Sequence, residues 1–444
     1  MRRNLALITL LAAAGLALCS CGAAELKIAL AAEVGGPFTP NPTPGLDPDH
    51  GPSGSQVEVF SWWTTGSEAQ GLDALVDVLA AKHPGVSFVN GFLSAWPDWG
   101  DDPLYGRLTE NVPPDSFQAY AGAEISVYIE AGLVQDVSNL YDEFGLTEAV
   151  PADLLDLVTK DGKKYSIPTG VHRANVLWAS VPVLQDAGID PNGVNYATIS
   201  DFIKDLDKIK AASPNVTPLA LGTTWTQVHL LECVLIAELG PDTYNGLWDG
   251  STDPNGPEVT KALTSFEKLI SYANADRDSI DWEPTTQMLI DGTAAFMIMG
   301  DWVPEPFGQQ NLKMGTDWVW APAPGTNHVF DFMADSFTLC TGAPDPEGVK
   351  AWLDAISSVD GQAALNKIKG SIPARVDVPM DGFSEYQVQA AEDYANSKIV
   401  GSLQHGAVAT VAQRTSVAET VAFFTAGATN LEQFQQAFAE AING

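Results

Sequence analysis

Residues 56–89 constrain the fold more than any other stretch, because the hydrophobic period changes twice within them. Val57-Glu58-Val59-Phe60 alternates as a short strand. The loop 61–68 follows, Ser-Trp-Trp-Thr-Thr-Gly-Ser-Glu, and then a helix over about 69–82 with Leu72, Leu75, Val76 and Leu79 at helical spacing. His83-Pro84-Gly85 stops the helix, and Val86 to Val89 resumes as a strand. A strand–helix–strand opening predicts an α/β fold with a mostly parallel sheet. Tyr165 to Pro168 reads as a strand, and 200–211, 227–239, 257–273, 343–359 and 431–442 read as helices, with no internal repeat. A length of 444 residues provides for two domains.

The N-terminus follows different rules. Arg2 and Arg3 precede an apolar run from Leu5 to Leu18, the pattern of an export signal. Leu18-Cys19-Ser20-Cys21 then reads as a lipobox, with small Ser20 before the cut and Cys21 as the lipidated residue. This predicts a signal peptide over 1–20 and export to the periplasm or cell surface. The only membrane association is then through an N-terminal lipid. Six prolines between 37 and 52, interspersed with Gly and Asp, make 21–55 a flexible tether. No later stretch reaches the roughly 20 apolar residues that span a bilayer.

Acidic residues outnumber Lys and Arg by 56 to 22, a formal charge of -34. Nucleic acid and anionic ligands would be repelled. The carboxylates are spread along the chain, as in a solvated acidic surface. Cys233 and Cys340 are left after the lipobox pair; an exported protein could oxidise them, but the lobe assignment below separates them, so free thiols are expected.

Twelve Trp are available, and Trp62-Trp63 stand in a loop just after the first strand, at the sheet edge where α/β proteins hold ligands. Aromatic faces stack on the C–H faces of sugar rings, while carboxylates, amides, Lys and His pair with hydroxyls. No GxSxG, HExxH, P-loop, CxxC or GxGxxG in strand–helix context occurs, and none of the six His stands at metal-ligand spacing to another. The chain therefore reads as a binding protein rather than an enzyme, with no cofactor and no metal. A glycoside hydrolase, whose two carboxyl groups can lie far apart in sequence, is the distant alternative.

From about residue 56 onward the chain resembles the extracellular solute-binding proteins of bacterial ABC sugar importers (family 1), and among them the glucose- or glucose/galactose-binding members. The landmarks are VEVFSWWTTGSEA (57–69), PPDSFQAYAG (113–122), IPTGVHRANVLW (167–178), ALGTTWTQ (220–227), DGTAAFMIMGDW (291–302), WAPAPGT (320–326), DSFTL (335–339), KGSIPAR (369–375) and SLQHGAVA (402–409). The resemblance implies a periplasmic-binding-protein-like fold, two α/β lobes joined by hinge strands around a ligand cleft. Residues 56–168 and 322–367 would form the N-terminal lobe, and 169–321 and 368–444 the C-terminal lobe. Crossings are expected near 167–171, 320–324 and 366–370.

By motif, the implied ligand residues are Trp62, Trp63, Glu68, Gln118, Trp282, Asp335, Lys369 and His405. Tyr120 and Trp225 are added as candidates. Asp301 is a further candidate, although with Trp302 in the GDW motif it reads first as a structural turn; His172 and Arg173 read as hinge structure. Tyr120 departs from the family's Q-x-H pattern, and Phe92 to Leu108 lacks the glycine-rich stretch of the glucose/galactose binders. The expected ligand is glucose or a related monosaccharide, with a disaccharide or oligosaccharide as the alternative. The expected partners are ABC permease subunits, and the expected state is a monomer.

Overall fold

The computed structural model describes residues 55–64, 66–92 and 103–443. The signal segment, the tether up to residue 54, Cys21 included, and residues 93–102 of the departing 92–108 segment lie outside the described residues. Among the described residues no helix is long and apolar enough to cross a membrane.

The strands are β1 Ser55–Phe60, β2 Val86–Asn90, β3 Ser116–Tyr120, β4 Thr159–Lys160, β5 Lys163–Lys164, β6 Ser166–Arg173, β7 Val176–Ser180, β8 Thr217–Ala220, β9 Ala294–Ile298, β10 Trp318–Pro322, β11 Val329–Thr338, β12 Ile372–Pro373 and β13 Lys398–Gly401. The opening unit forms as read: helix Gly66–Lys82 connects β1 to β2, which pair in parallel. β1 also pairs in parallel with β3. The larger sheet runs β12-β6-β11-β3-β1-β2, with β13 on the other end of β11. A second sheet runs β10-β7-β9-β8. Two α/β lobes result.

The mostly parallel expectation needs correction, since both sheets are mixed. β11 is antiparallel to β3 and β6 and parallel only to β13. In the smaller sheet β7 is antiparallel to β9 and β10. The reason is the crossing. β6 leads out of the larger sheet into β7, whereas β10 leads back into β11, so strands that travel in opposite directions lie side by side.

Crossing segments are stapled by side chains. Asn175, between β6 and β7, donates through Nδ2 to Thr326 Oγ1 at 2.8 Å and to the Val329 carbonyl at 2.9 Å, and its Oδ1 accepts from Asp331 N at 3.0 Å. Arg173 is buried beside it, donates to the Val329 carbonyl and Asp393, and lies over the rings of Trp320 and Phe330. The third crossing comes later than 366–370. β12 and β13, within the 368–444 stretch assigned above to the C-terminal lobe, are hydrogen-bonded into the larger sheet. Only after Gly401 does the chain turn to the helices Val411–Thr425 and Leu431–Asn443.

The helices form where pattern and caps agree. Ile199–Ala212 starts at Thr198, whose side chain accepts from Asp201 N, and buries Ile199, Phe202, Leu206 and Ile209 along one face. Strand alternation divides the smaller sheet's packing: Leu177, Ala179, Phe296 and Ile298 face one core with Phe202 and Phe266, while Trp178 and Met297 face the other. Beneath the first strand, Arg107 binds Glu58 with two parallel hydrogen bonds of 2.6 and 2.8 Å, both residues buried.

Cys233 lies on helix Thr224–Leu239 and Cys340 just after β11, both buried and unpaired. They fall in separate hydrophobic clusters, which is why they do not meet.

Candidate functional site

A cleft of about 770 Å³ opens between the two sheets. From the larger sheet come Trp62 and Glu68, in the segment after β1, and Tyr120 at the carboxyl end of β3. The carboxyl ends of strands are where an open α/β sheet leaves room for a ligand. Trp225, Trp282 and Trp302 face them from the other side, each at or before the first turn of a helix.

The floor is a charged relay. Asp335 sits on β11 where the register against β6 slips by one residue, a bulge that re-aims the side chain. Its Oδ1 accepts from Gln118 Nε2 at 2.8 Å and its Oδ2 from Lys369 Nζ at 2.9 Å. Lys369 is the last residue of helix Val359–Lys369, which stops because Gly370 adopts a left-handed conformation with φ of 89°. Its Nζ also meets His172 Nε2 at 2.6 Å, and His172 Nδ1 meets Asp301 Oδ1 at 2.6 Å. An ammonium only donates, so His172 accepts at Nε2 and donates Nδ1–H to Asp301. Asp301 Oδ2 accepts from Arg173 N and Tyr386 OH. The relay thus runs from the cleft floor to the hinge.

Burial raises the Glu68 carboxyl above its usual range, an effect opposed by Lys369 and reinforced by Asp335. Burial and neighbouring His229 and Arg414 hold His405 well below the usual imidazole range, so it is neutral at physiological pH. The walls are aromatic. Trp62 tilts against Tyr120 with ring centroids 5.6 Å apart, and Trp302 lies 5.4 Å from His405 and 5.8 Å from His172. Trp225 is held by Nε1–H to Asp281 Oδ1 at 2.7 Å.

Of the residues expected in the site, Trp62, Glu68, Tyr120, Trp225, Trp282, Asp335, Lys369 and His405 line the cleft. Three stand behind it. Trp63, 1% exposed, lies edge-on to Phe337 with the Lys369 ammonium over its ring at 5.2 Å. Gln118 is buried between Ser61 Oγ and Asp335. Asp301 holds His172 from below.

His172 and Trp302, read above as hinge or turn, do line the cleft. For Trp302 the signal was present in the GDW motif. A Cβ at Gly300 would stand 2.1 Å from the Trp302 ring, so the glycine is what lets the indole fold back over its own turn. Glu283, Gln287, Glu305, Gln309 and Gln310 form an outer polar rim that no motif marked.

Residues 65–363 match the family described as bacterial extracellular solute-binding protein. An uncharacterized ABC transporter extracellular-binding protein of Pyrococcus horikoshii is 30% identical over 88% of this chain and 87% of its own length. A probable sugar-binding periplasmic protein of Mesorhizobium japonicum is 29% identical over 85% of this chain and 91% of its own. Among solved structures, a chitin oligosaccharide binding protein superposes with a TM-score of 0.73 at 18% identity, covering 88% of this chain and 98% of that one. At that identity the likeness is one of fold.

Proposed function

Because the chain belongs to the bacterial extracellular solute-binding proteins, and is a sugar-binding component of an ABC transporter, we propose that its cleft takes up one aldohexose, glucose or a near relative, and closes on it for delivery to the permease. It is a transport component and not an enzyme. The observation that carries the hexose reading is the Asp335–Lys369 pair, buried at the cleft floor among the indoles of Trp62, Trp225 and Trp302. One sugar ring presents apolar C–H faces and a girdle of hydroxyls. Indoles suit the faces, and a carboxylate, an ammonium and a neutral imidazole suit the hydroxyls.

Both floor charges are neutralised by each other before any ligand arrives, so a neutral sugar need not compensate a buried charge. Closure would bring the Trp225 and Trp302 side onto a ring already resting on Trp62, with the three crossings as hinge. The protein then acts as a monomer, tethered through a lipid at Cys21 by the Leu18-Cys19-Ser20-Cys21 sequence; Cys21→Ala should release it from membranes with sugar binding intact. A second reading, a disaccharide, is favoured by the amide and carboxylate rim at Glu283, Gln287 and Gln310, which offers partners for another ring.

A thermal-shift panel of mono- and disaccharides tests the proposal, since a ligand that binds only the folded state raises its melting temperature. Glucose or a near-isomer giving the largest shift supports the hexose reading. A larger shift with a disaccharide would replace it with the second, and no shift with any sugar would reject both.

A further inference from the structure

Beneath the cleft, on the side of the smaller sheet, three buried side chains converge that the sugar reading does not use together. His229 and Glu232 stand one turn apart on helix Thr224–Leu239, and His405 reaches them from the segment after β13. His229 Nδ1 is 3.4 Å from His405 Nε2 and 3.6 Å from Glu232 Oε1, and the three ligand atoms all lie within 4.8 Å of one another. We propose that His229, Glu232 and His405 form a binding site for a divalent transition metal of the zinc class, under the floor of the sugar cleft.

The geometry supports a metal in three ways. First, a tetrahedral zinc with bonds of about 2.0–2.1 Å holds its ligand atoms about 3.3–3.4 Å apart. The two separations about His229 Nδ1 are close to that edge. Second, the lone pairs point the right way. His229 Nε2 lies 2.8 Å from the Ala174 carbonyl, which can only accept, so Nε2 carries the proton and Nδ1 of the neutral ring is an acceptor. Glu232 Oε1 is an acceptor too. A cation between the imidazole Nδ1 and an ionised Glu232, 3.6 Å apart, would be held by both lone pairs.

Third, the outer supports of a metal site are in place. The Ala174 carbonyl fixes the His229 tautomer, while Ser402 Oγ at 2.9–3.0 Å and Gln404 N at 2.7 Å hold the Glu232 carboxylate. Asp331 adds a second buried carboxyl group beside Glu232, close enough to share a proton with it. His405, which lines the cleft, provides the way in.

Bound metal would tie the third crossing, which carries His405, to helix Thr224–Leu239 in the lobe of the smaller sheet. It would also fix the His405 ring, leaving its Nδ1–H as the free donor. Sequence spacing shows only the i,i+3 pair, because residue 405 arrives from far along the chain.

The test is calorimetric titration of Zn²⁺ into chelator-stripped protein, with Co²⁺ as a spectroscopic probe. Wild type should bind one zinc per chain, and its cobalt form should show the intense visible bands of a tetrahedral site. Glu232→Gln, which keeps an oxygen for Ser402, and His229→Asn should each weaken zinc binding at least about tenfold, or 1.4 kcal/mol. Circular dichroism checks their folding, and if His229→Asn does not fold, Glu232→Gln alone decides. Absence of one-to-one binding overturns the proposal, as does zinc affinity unchanged by Glu232→Gln, the result expected from the acidic surface. Sugar titration of the zinc-free protein runs in parallel, so a failed metal site and a failed sugar site are told apart.

Discussion

Trp62 and Trp63 are neighbours in sequence and opposites in environment, so replacing each by alanine separates binding from folding. Trp62 is half-buried, lines the cleft and rests on Tyr120. Trp63 is buried against Phe337 and beneath Lys369. A sugar stacked on Trp62 covers roughly 50–100 Å² of indole face, worth about 1.3–2.5 kcal/mol at about 25 cal/mol per Å². Losing it weakens binding by roughly 8- to 70-fold. Trp63→Ala instead empties a packed site and should cost about 3–5 kcal/mol of stability.

Calorimetric titration with the preferred sugar reads the first effect, and urea unfolding reads the second as a fall in midpoint at constant slope. Trp62→Ala should keep the wild-type midpoint and lose affinity. Trp63→Ala should lose midpoint first, with affinity falling only through displacement of Lys369. The reverse pattern, Trp63→Ala stable but unable to bind and Trp62→Ala indistinguishable from wild type, would refute the placement of the two indoles.

Three further outcomes are expected. Lys369→Met leaves Asp335 buried with Gln118 as its remaining partner, and should destabilise the protein by about 3–5 kcal/mol, read by urea unfolding, while also weakening sugar binding. Burial lifts the Asp115 carboxyl from 3.8 to about 6, against hydrogen bonds from Glu58 N and Asp345 N. Between those values the native state holds a proton that the unfolded chain releases, so stability falls as pH rises from about 4 to 6; relative to Asp115→Asn the wild type should lose up to about 3 kcal/mol across that window, and a flat difference would contradict the assignment. Cys233 and Cys340 should resist thiol reagents in the native protein, since burial raises both thiols, and label fully on denaturation without reductant.

Local pattern was legible in the sequence wherever one segment determines its own structure. The β1–helix–β2 unit, the helix near 200–211 and the loop bearing Trp62 were readable from hydrophobic period and from the His83-Pro84-Gly85 stop. What escaped depends on segments that meet from afar. Trp63 could not be distinguished from Trp62, because the ring that covers it, Phe337, comes from β11. The antiparallel pairing of β6 with β11 escaped because chain direction at a crossing is a property of the whole fold. The third crossing was placed too early because β12 and β13 are short strands of 2 and 4 residues, too brief for a period to show. Gln118 and Asp301 carry family motifs whose value lies in holding Asp335 and His172, a role that motif matching does not distinguish from contact.

The position of β11 also governs when the protein can fold. β3 and β6 have no contact in the sheet except through β11, so the larger sheet stays in two pieces until residue 338 of 444 has been made. Any shorter nascent chain exposes the open edges of both pieces and lacks the strand that would join them. Synthesis therefore runs well ahead of completion of the first lobe, and the contact that closes it spans a long loop whose entropy must be overcome late. The first lobe therefore cannot be completed by residues 56–168 alone, and its larger sheet becomes continuous only when the return strand has been added.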